Sequence, residues 1–294
     1  MRIAVAGSQG LIGSAVVSAL REAGHTVVRL VRREALSDDE FSWDPETFGV
    51  PEESLQEVDA VIGLGGVGVG NQRWTGRFKQ ELRDSRITPT EVLAEAVASA
   101  GVPVFLSASA TGYYGNTGSH VAIESDPAGE GFLAGLVTDW EHAATENAGS
   151  GTRVVLLRTA PVLAKDGGLL SRLRPVFWFG LGGAIGSGEQ YFSWISLPDE
   201  VRAILFLLDS PISGPVNLCS PGSLPFGEFA DAMGRAMHRP TILKVPGFAA
   251  KAVGGEMAEE MILFSQRVAP DVLTEHGFSF HHPDIDTALG YVHA

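Results

Sequence analysis

A short apolar run, Ile3 to Ala6, leads directly into Gly7-Ser8-Gln9-Gly10-Leu11-Ile12-Gly13, and helical spacing then continues from Leu11 to Ala23. No other feature restricts the fold as strongly. Consecutive apolar residues suit a strand buried on both faces. Each glycine answers a separate steric demand. Gly7 permits a tight turn at the strand end, Gly10 lets backbone approach a ligand with no Cβ in the way, and Gly13 lets the helix pack closely on the strand. A helix that starts there presents unsatisfied N–H groups and a partial positive charge, the ordinary seat of a pyrophosphate. Glycine spacing alone is a weak signal; the flanking strand and helix give it weight.

The same alternation continues along the chain. Gly24 is expected to close the first helix, and Thr26–Val31 reads as a second strand. Further strands are expected at Val58–Leu64, Val102–Leu106 and Arg153–Leu157. Helices are expected over Phe78–Ala100, Gly131–Ala148 and Val201–Leu208, with Pro89 starting a new segment or kinking the first of these. This pattern predicts an α/β fold, a Rossmann-type doubly wound parallel sheet. Glycine and proline become frequent after Leu157, and Pro246 to Ala294 reads as mostly helical. The expected organisation is a nucleotide-binding core over 1–160, with later returns near 190–220, and a smaller, mainly helical lobe over 161–294 that ends in the segment 246–294. Met257 and Met261, four apart, are expected to form a core stripe.

The second strand ends in Arg32 and Arg33. Dinucleotide folds selective for NAD place an acid near this point to accept from the ribose 2′-hydroxyl. Two guanidinium groups would instead pair with a 2′-phosphate, so the expected cofactor is NADP(H). Leu64, Gly65 and Gly66 follow the third strand and are expected on the adenosine side, where a side chain would crowd the ligand.

Charge and composition narrow the partners. The formal net charge is −14, which argues against nucleic acid or an anionic membrane surface as a general partner. A local basic pocket for one phosphorylated small molecule is compatible with it. No apolar run reaches the length needed to span a bilayer. The single cysteine, Cys219, cannot form an internal disulfide and fits a reducing, cytoplasmic setting; it is expected to be a buried strand residue. The histidines are scattered, so no metal site is expected, and no Gly-Lys-Ser/Thr phosphate loop is present. The expected state is a monomer or homodimer.

The glycine loop and the segment Leu106-Ser107-Ala108-Ser109-Ala110-Thr111-Gly112-Tyr113-Tyr114-Gly115 resemble the extended and atypical short-chain dehydrogenase/reductases. The closest likeness within them is to the sugar-nucleotide epimerase-like subgroup with a C-terminal domain of unknown function. Asn71-Gln72-Arg73-Trp74, Asp84-Ser85-Arg86, Asp139-Trp140-Glu141, Leu181-Gly182-Gly183, Ser193-Trp194-Ile195 and Gln266-Arg267-Val268-Ala269-Pro270 carry it. The resemblance implies a nicotinamide cofactor and a small-molecule substrate such as a nucleotide sugar. It implies that Ser109 hydrogen-bonds a reacting carbonyl or hydroxyl, with Tyr113 or Tyr114 supplying a phenol. It adds Ser107, Arg86, Arg158 and Pro161 to the expected cofactor contacts, Pro161 in a loop passing over the nicotinamide. Arg158 ends a buried apolar strand, so its charge must be paired or face the cleft; it is expected to face the cleft. One element departs from the superfamily. A Tyr and a Lys one helical turn apart normally exchange the proton, but the helix over Gly131–Glu141 contains neither, and their expected positions fall near Leu133 and Val137. Ser196 stands where the subgroup usually has a histidine. Trp194 is compatible with either ligand stacking or core.

Overall fold

The computed structural model describes residues 1–293. Its centre is a seven-stranded parallel sheet. The strands are β1 (Arg2–Ala6), β2 (Thr26–Val31), β3 (Glu40–Ser42), β4 (Ala60–Gly63), β5 (Val104–Ala110), β6 (Arg153–Thr159) and β7 (Gly214–Leu218). Their spatial order is β7-β6-β5-β4-β1-β2-β3. Winding reverses between β1 and β4, and the carboxyl ends of the strands on either side of that point open the crevice where such folds bind ligands.

The flanking helices are α1 (Leu11–Glu22), α2 (Gly76–Asp84), α3 (Ile87–Ala100), α4 (Phe132–Asn147) and α6 (Leu197–Asp209). Alternation along each strand divides the core in two. Ile3, Val5, Ile62, Leu106, Leu157 and Leu218 pack under α1 and α6. Ala4, Val61, Phe105 and Leu156 face the other way, with Leu93 and Val97 of α3 and Ala144 of α4. Residues 105, 107 and 109 therefore share the α4 side of β5, which aims Ser109 at that helix.

α9 (Asp271–Glu275) packs on the sheet core through Leu273, whereas α5 (Gly168–Trp178), α7 (Phe226–Met237), α8 (Gly247–Ala258) and α10 (Ile285–His293) belong to a second lobe. Small two-stranded pairs join it together, including Gly183–Ile185 beside Leu243–Val245. Its core holds Leu170, Phe177, Phe229, Met233 and Trp194. Trp194 is fully buried and donates to the Gly222 carbonyl at 3.2 Å, so it is core and not a stacking platform.

Gly24, with φ +83, closes the first helix as expected, just past its end at Glu22. Two local expectations change. The long helix breaks at Ser85-Arg86, between α2 and α3, while Pro89 sits inside the first turn of α3. A proline is tolerated there because its missing N–H would have had no intrahelical partner. The methionine stripe does not form. Gly255 adopts φ +62 within α8, and Glu259–Leu263 winds as a π turn. That changes the helical phase and leaves Met261 exposed.

Candidate active site

The glycine loop shows two of the three steric roles directly. A Cβ on Gly7 would meet the Leu64 carbonyl at 2.8 Å, and one on Gly13 would meet the Gly7 oxygen at 2.1 Å. At the exposed Gly10 the nearest atom would be 3.4 Å away, an ordinary contact, so no protein atom excludes a side chain there. Helix α1 has no side-chain cap and no acid in its first turn, which leaves its N-terminal N–H groups to a ligand. The Ser8 hydroxyl is buried without a hydrogen-bond partner. Leu11 lies half-buried under Gly167 and Gly168, whose Cβ atoms would come within 3.4 and 3.2 Å of it. The segment after Pro161 thus runs over the loop.

The two arginines at the end of β2 differ. Arg33 makes paired bonds of 2.7 Å to both Glu40 oxygens. With its amide oxygen turned toward Arg33, Gln9 accepts at 2.7 and 3.0 Å. The hydrogen bonds from Arg33 and the Leu36 N–H hold the nearly buried Glu40 carboxyl at about 2. Arg32 is exposed, with its guanidinium 5.6 Å from the Trp43 ring centre. A cavity of about 590 Å³ opens beside it, lined also by Val67, Arg77 and Ser85.

Gly65 and Gly66 are exposed at the β4 end. A Cβ on Gly66 would lie 3.1 Å from the Arg86 guanidinium carbon. Among the described residues, Arg86 bonds only to the Leu82 and Val67 carbonyls and the Ser85 hydroxyl, and it stacks on Trp140. Burial without a carboxylate lowers it to about 10.

At the ends of β5, β6 and β7 lies a buried polar network. Ser109 faces Arg158 across the strand pair and donates to Glu141 Oε1 at 2.6 Å. Glu141, from α4, receives Arg158 Nε at 2.8 Å and Nη2 at 2.9 Å. Arg158 also donates to the Tyr114 hydroxyl at 2.9 Å and to the Glu124 carbonyl at 3.3 Å. Tyr114 in turn donates to Asn217 Oδ1 at 2.7 Å. Burial opposes the Arg158 cation, but its hydrogen bonds to the Glu141 carboxylate and the attraction of that charge more than offset this and raise its pKa; burial also pushes the Tyr114 phenol up. Arg158 is 3% exposed, so this charge is met by pairing inside the protein. Tyr113 is half-buried and lies face-on to Arg158, 3.5 Å from the guanidinium carbon to the ring centre. Ser107 is buried on the same side of β5.

The α4 face where a Tyr/Lys pair would stand is apolar. Leu133 and Val137 pack on Gly112, where an added Cβ would lie 3.3 Å and 3.9 Å from them. The first turn of α4 is capped from the other lobe, by Glu260, which accepts from the Phe132 and Leu133 N–H groups at 2.8 Å each. The position of Ser196 is polar despite its missing histidine. Ser196 Oγ lies 2.8 Å from His282 Nδ1 and caps α6. Among the described residues, no group of three or more metal-ligating side chains occurs.

The roles of Glu141, Glu124, Glu260 and Asn217 were not singled out from sequence. One signal existed for Glu141: a buried Arg158 requires an acid, and Glu141 lies on the helix expected to cover that strand. Glu200 is a further buried acid, fully enclosed in α6. It accepts from Thr159 at 2.9 Å through one oxygen, while the other has no partner. Burial raises it to about 8 from an ordinary 4.5. The folded state therefore holds a proton that the unfolded chain releases as pH rises from about 4.5 to about 8. This contribution to stability is fully present below that window and lost across it. Glu200→Gln is expected to flatten the fall in Tm between pH 5 and 9; an unchanged slope would show that this proton is not held.

Comparison with known proteins places this geometry. The NAD dependent epimerase/dehydratase family matches residues 3–219, and a domain of unknown function (DUF1731) matches residues 245–292. The chain belongs to the NAD-dependent epimerase/dehydratase family. Among its relatives, an epimerase family protein of Mycobacterium bovis (Mb2239) is 54% identical over 98% of this chain and 96% of its own. The crystal structure of human epimerase family protein SDR39U1 with NADPH is 31% identical, covers 100% of this chain and 99% of that one, and superposes with a TM-score of 0.91. A nucleoside-diphosphate sugar epimerase from Corynebacterium glutamicum is 31% identical with a TM-score of 0.80, covering 99% of this chain but 58% of that one. Among the described residues, no helix of this family member is long and apolar enough to cross a membrane.

Proposed function

We propose that this epimerase-family protein binds NADP(H) on the Gly7–Gly13 loop and acts as an oxidoreductase or epimerase on a small molecule, a nucleotide sugar by its likeness to the family. The observation that carries the cofactor reading is the buried, unpartnered Ser8 hydroxyl beside the open Gly10 and the uncapped α1. A buried hydroxyl without a partner is costly, and a phosphate oxygen would satisfy it. The NADPH-bound human relative supports the same reading. Gly7, Ser8, Gly10, Leu11, Ile12 and Gly13 would hold the pyrophosphate, with Leu64, Gly65, Ser107 and Pro161 along the cofactor edge. Arg86 beside Gly66 is a half-buried cation with no carboxylate partner among the described residues, and a bound phosphate would supply the countercharge. When bound, the nicotinamide supplies or takes a hydride at a substrate carbon.

The two arginines have different work. Arg33 is already satisfied by Glu40, so it and Gln9 shape the wall. The exposed Arg32 is the cation available to a 2′-phosphate. Arg32→Ala is expected to weaken NADPH about 10- to 100-fold, the range of one charged hydrogen-bonding group, and to leave NADH unchanged. Equal weakening of both cofactors would remove Arg32 from this role.

In the reaction, Ser109 orients the reacting oxygen. Its proton is committed to Glu141, so it offers lone pairs to a substrate hydroxyl. Tyr114 has both roles of its hydroxyl filled by Arg158 and Asn217, which makes it a positioning residue. That leaves Tyr113, stacked on Arg158, as the phenol able to exchange a proton with substrate. The assay is NADPH oxidation over a panel of carbonyls and nucleotide sugars. Ser109→Ala is expected to lose most turnover while still binding NADPH, and undiminished turnover would exclude its role. The apolar packing of Leu133 and Val137 favours a second reading, an NADP(H)-binding sensor without turnover. Steady-state turnover with any panel member excludes it.

A further inference from the structure

Both lobes touch the glycine loop, from opposite sides. On one side Gly7 lies so close to Leu64 that a Cβ on it would meet the Leu64 carbonyl at 2.8 Å. Leu64 opens an irregular stretch that runs to Thr75, just ahead of α2, and carries Gly65, Gly66, Gly68 and Gly70. On the other side Leu11 lies under Gly167 and Gly168, where α5 begins.

Arg172 joins the two sides. It stands one turn beyond Gly168 on the same face of α5. Its guanidinium donates to the Gly70 carbonyl and, at 2.7 Å, to Asn71 Oδ1. The contacts then close a circuit: glycine loop, β4 loop, Arg172, α5, and back through Leu11. The walls of this circuit belong to different bodies. The Val67 and Val69 carbonyls accept from Arg86 at 2.8 Å and Trp74 at 2.9 Å, which holds the β4 loop to the sheet lobe. Helix α5 is rooted in the second lobe through Leu170 and Phe177. The contacts at Gly7 and Leu11 are close packing against glycine backbone. The Arg172 link is an exposed pair of hydrogen bonds to neutral oxygens, and it is the part of the circuit that can open at little cost.

We infer that Arg172 is a clasp that closes the second lobe over the dinucleotide and governs its entry and release. The inference rests on the cofactor reading of the glycine loop, because a dinucleotide lying along that loop lies within the circuit. Glycines on both walls give the backbone freedom to part: Gly66 has φ +148, and Gly167 and Gly168 have +81 and +60. Closures of this kind seclude a bound molecule and set its exchange rate. The clasp joins protein to protein whether or not the cofactor is bound, so it acts on rates more than on affinity.

Arg172→Ala is expected to raise both the association and the release of NADPH about tenfold, the worth of hydrogen bonds from a charged group, while Kd moves less than about threefold. Nicotinamide fluorescence after rapid mixing reads association, and displacement by excess NADP⁺ reads release. A second variant, Asn71→Cys with Arg172→Cys, restores the clasp covalently through a bismaleimide. Cys219 is fully buried and does not compete for the reagent. Cross-linking the NADPH-loaded chain is expected to slow release below that of the unmodified protein, and cross-linking the free chain to slow entry. Faster release with unchanged association in Arg172→Ala, and so a weaker Kd, would place Arg172 on the ligand and overturn the clasp. Unchanged rates, with thermal stabilisation by NADPH intact, overturn the clasp and leave the cofactor reading standing. No stabilisation of the unmodified chain by NADPH removes that reading and the clasp together.

Discussion

Glu141→Ala is expected to destabilise the folded chain by about 3–5 kcal/mol, the cost of leaving a buried charge without its partner. Among the described residues, the one lost is the only carboxylate on Arg158, which sits at the end of β6 with 3% exposure. The Tyr114 hydroxyl and the Glu124 carbonyl remain bonded to the guanidinium, but neither carries a compensating charge. Urea unfolding with an unchanged m-value measures the effect cleanly. A paired substitution, Glu141→Met with Arg158→Met, should recover much of the loss, because apolar side chains of similar volume often replace a buried ion pair at little cost. A loss below about 1 kcal/mol in the single variant would mean that the pair is no more than a surface-type bridge.

The second large effect concerns Gly13. Alanine is normally the better helix former by about 1 kcal/mol, so Gly→Ala in a helix should stabilise wherever there is room. At Gly13 there is none: the added Cβ would stand 2.1 Å from the Gly7 oxygen. Either α1 moves off β1 or the loop opens, and in both cases the pyrophosphate seat is lost. Gly13→Ala is expected to abolish stabilisation by NADPH and to lower Tm by several degrees. Gly135 in α4 is the internal control, since nothing lies within 4 Å of its Cβ position. Gly135→Ala should be neutral or stabilising. Equal behaviour of the two variants would contradict the steric account of the loop.

What was legible in the sequence follows a physical division. The glycine loop and the doubly wound sheet depend on local sterics and on strands buried on both faces, and both leave their mark within a few residues. The roles of charged groups depend on partners from other layers. Arg32 and Arg33 look equivalent in sequence, yet Glu40 on the edge strand β3 engages only Arg33 of the two through its side chain. Arg158 was expected to face the cleft because its need for a partner was visible, while the partner, Glu141 on α4, was not. Trp194 could have been core or platform until the second lobe closed over it. The methionine stripe failed for a related reason: a periodic pattern presupposes regular α-helical winding, and the π turn over Glu259–Leu263 intervenes between Met257 and Met261. Glu260 lies in that π turn and reaches the N-terminus of α4 from a distance of more than a hundred residues in sequence. No spacing rule connects them.

The most direct test of the central claim is ligand-dependent stabilisation of the full chain by NADPH and NADH at equal concentration. Ligand at a hundred times its Kd adds about 2.7 kcal/mol to the folded state, roughly 5 °C in Tm for a chain of this size. The expected result is a clear rise with NADPH, a smaller one with NADH, and convergence of the two in Arg32→Ala. A Tm unmoved by either dinucleotide would contradict the assignment of the Gly7–Gly13 loop as a cofactor site.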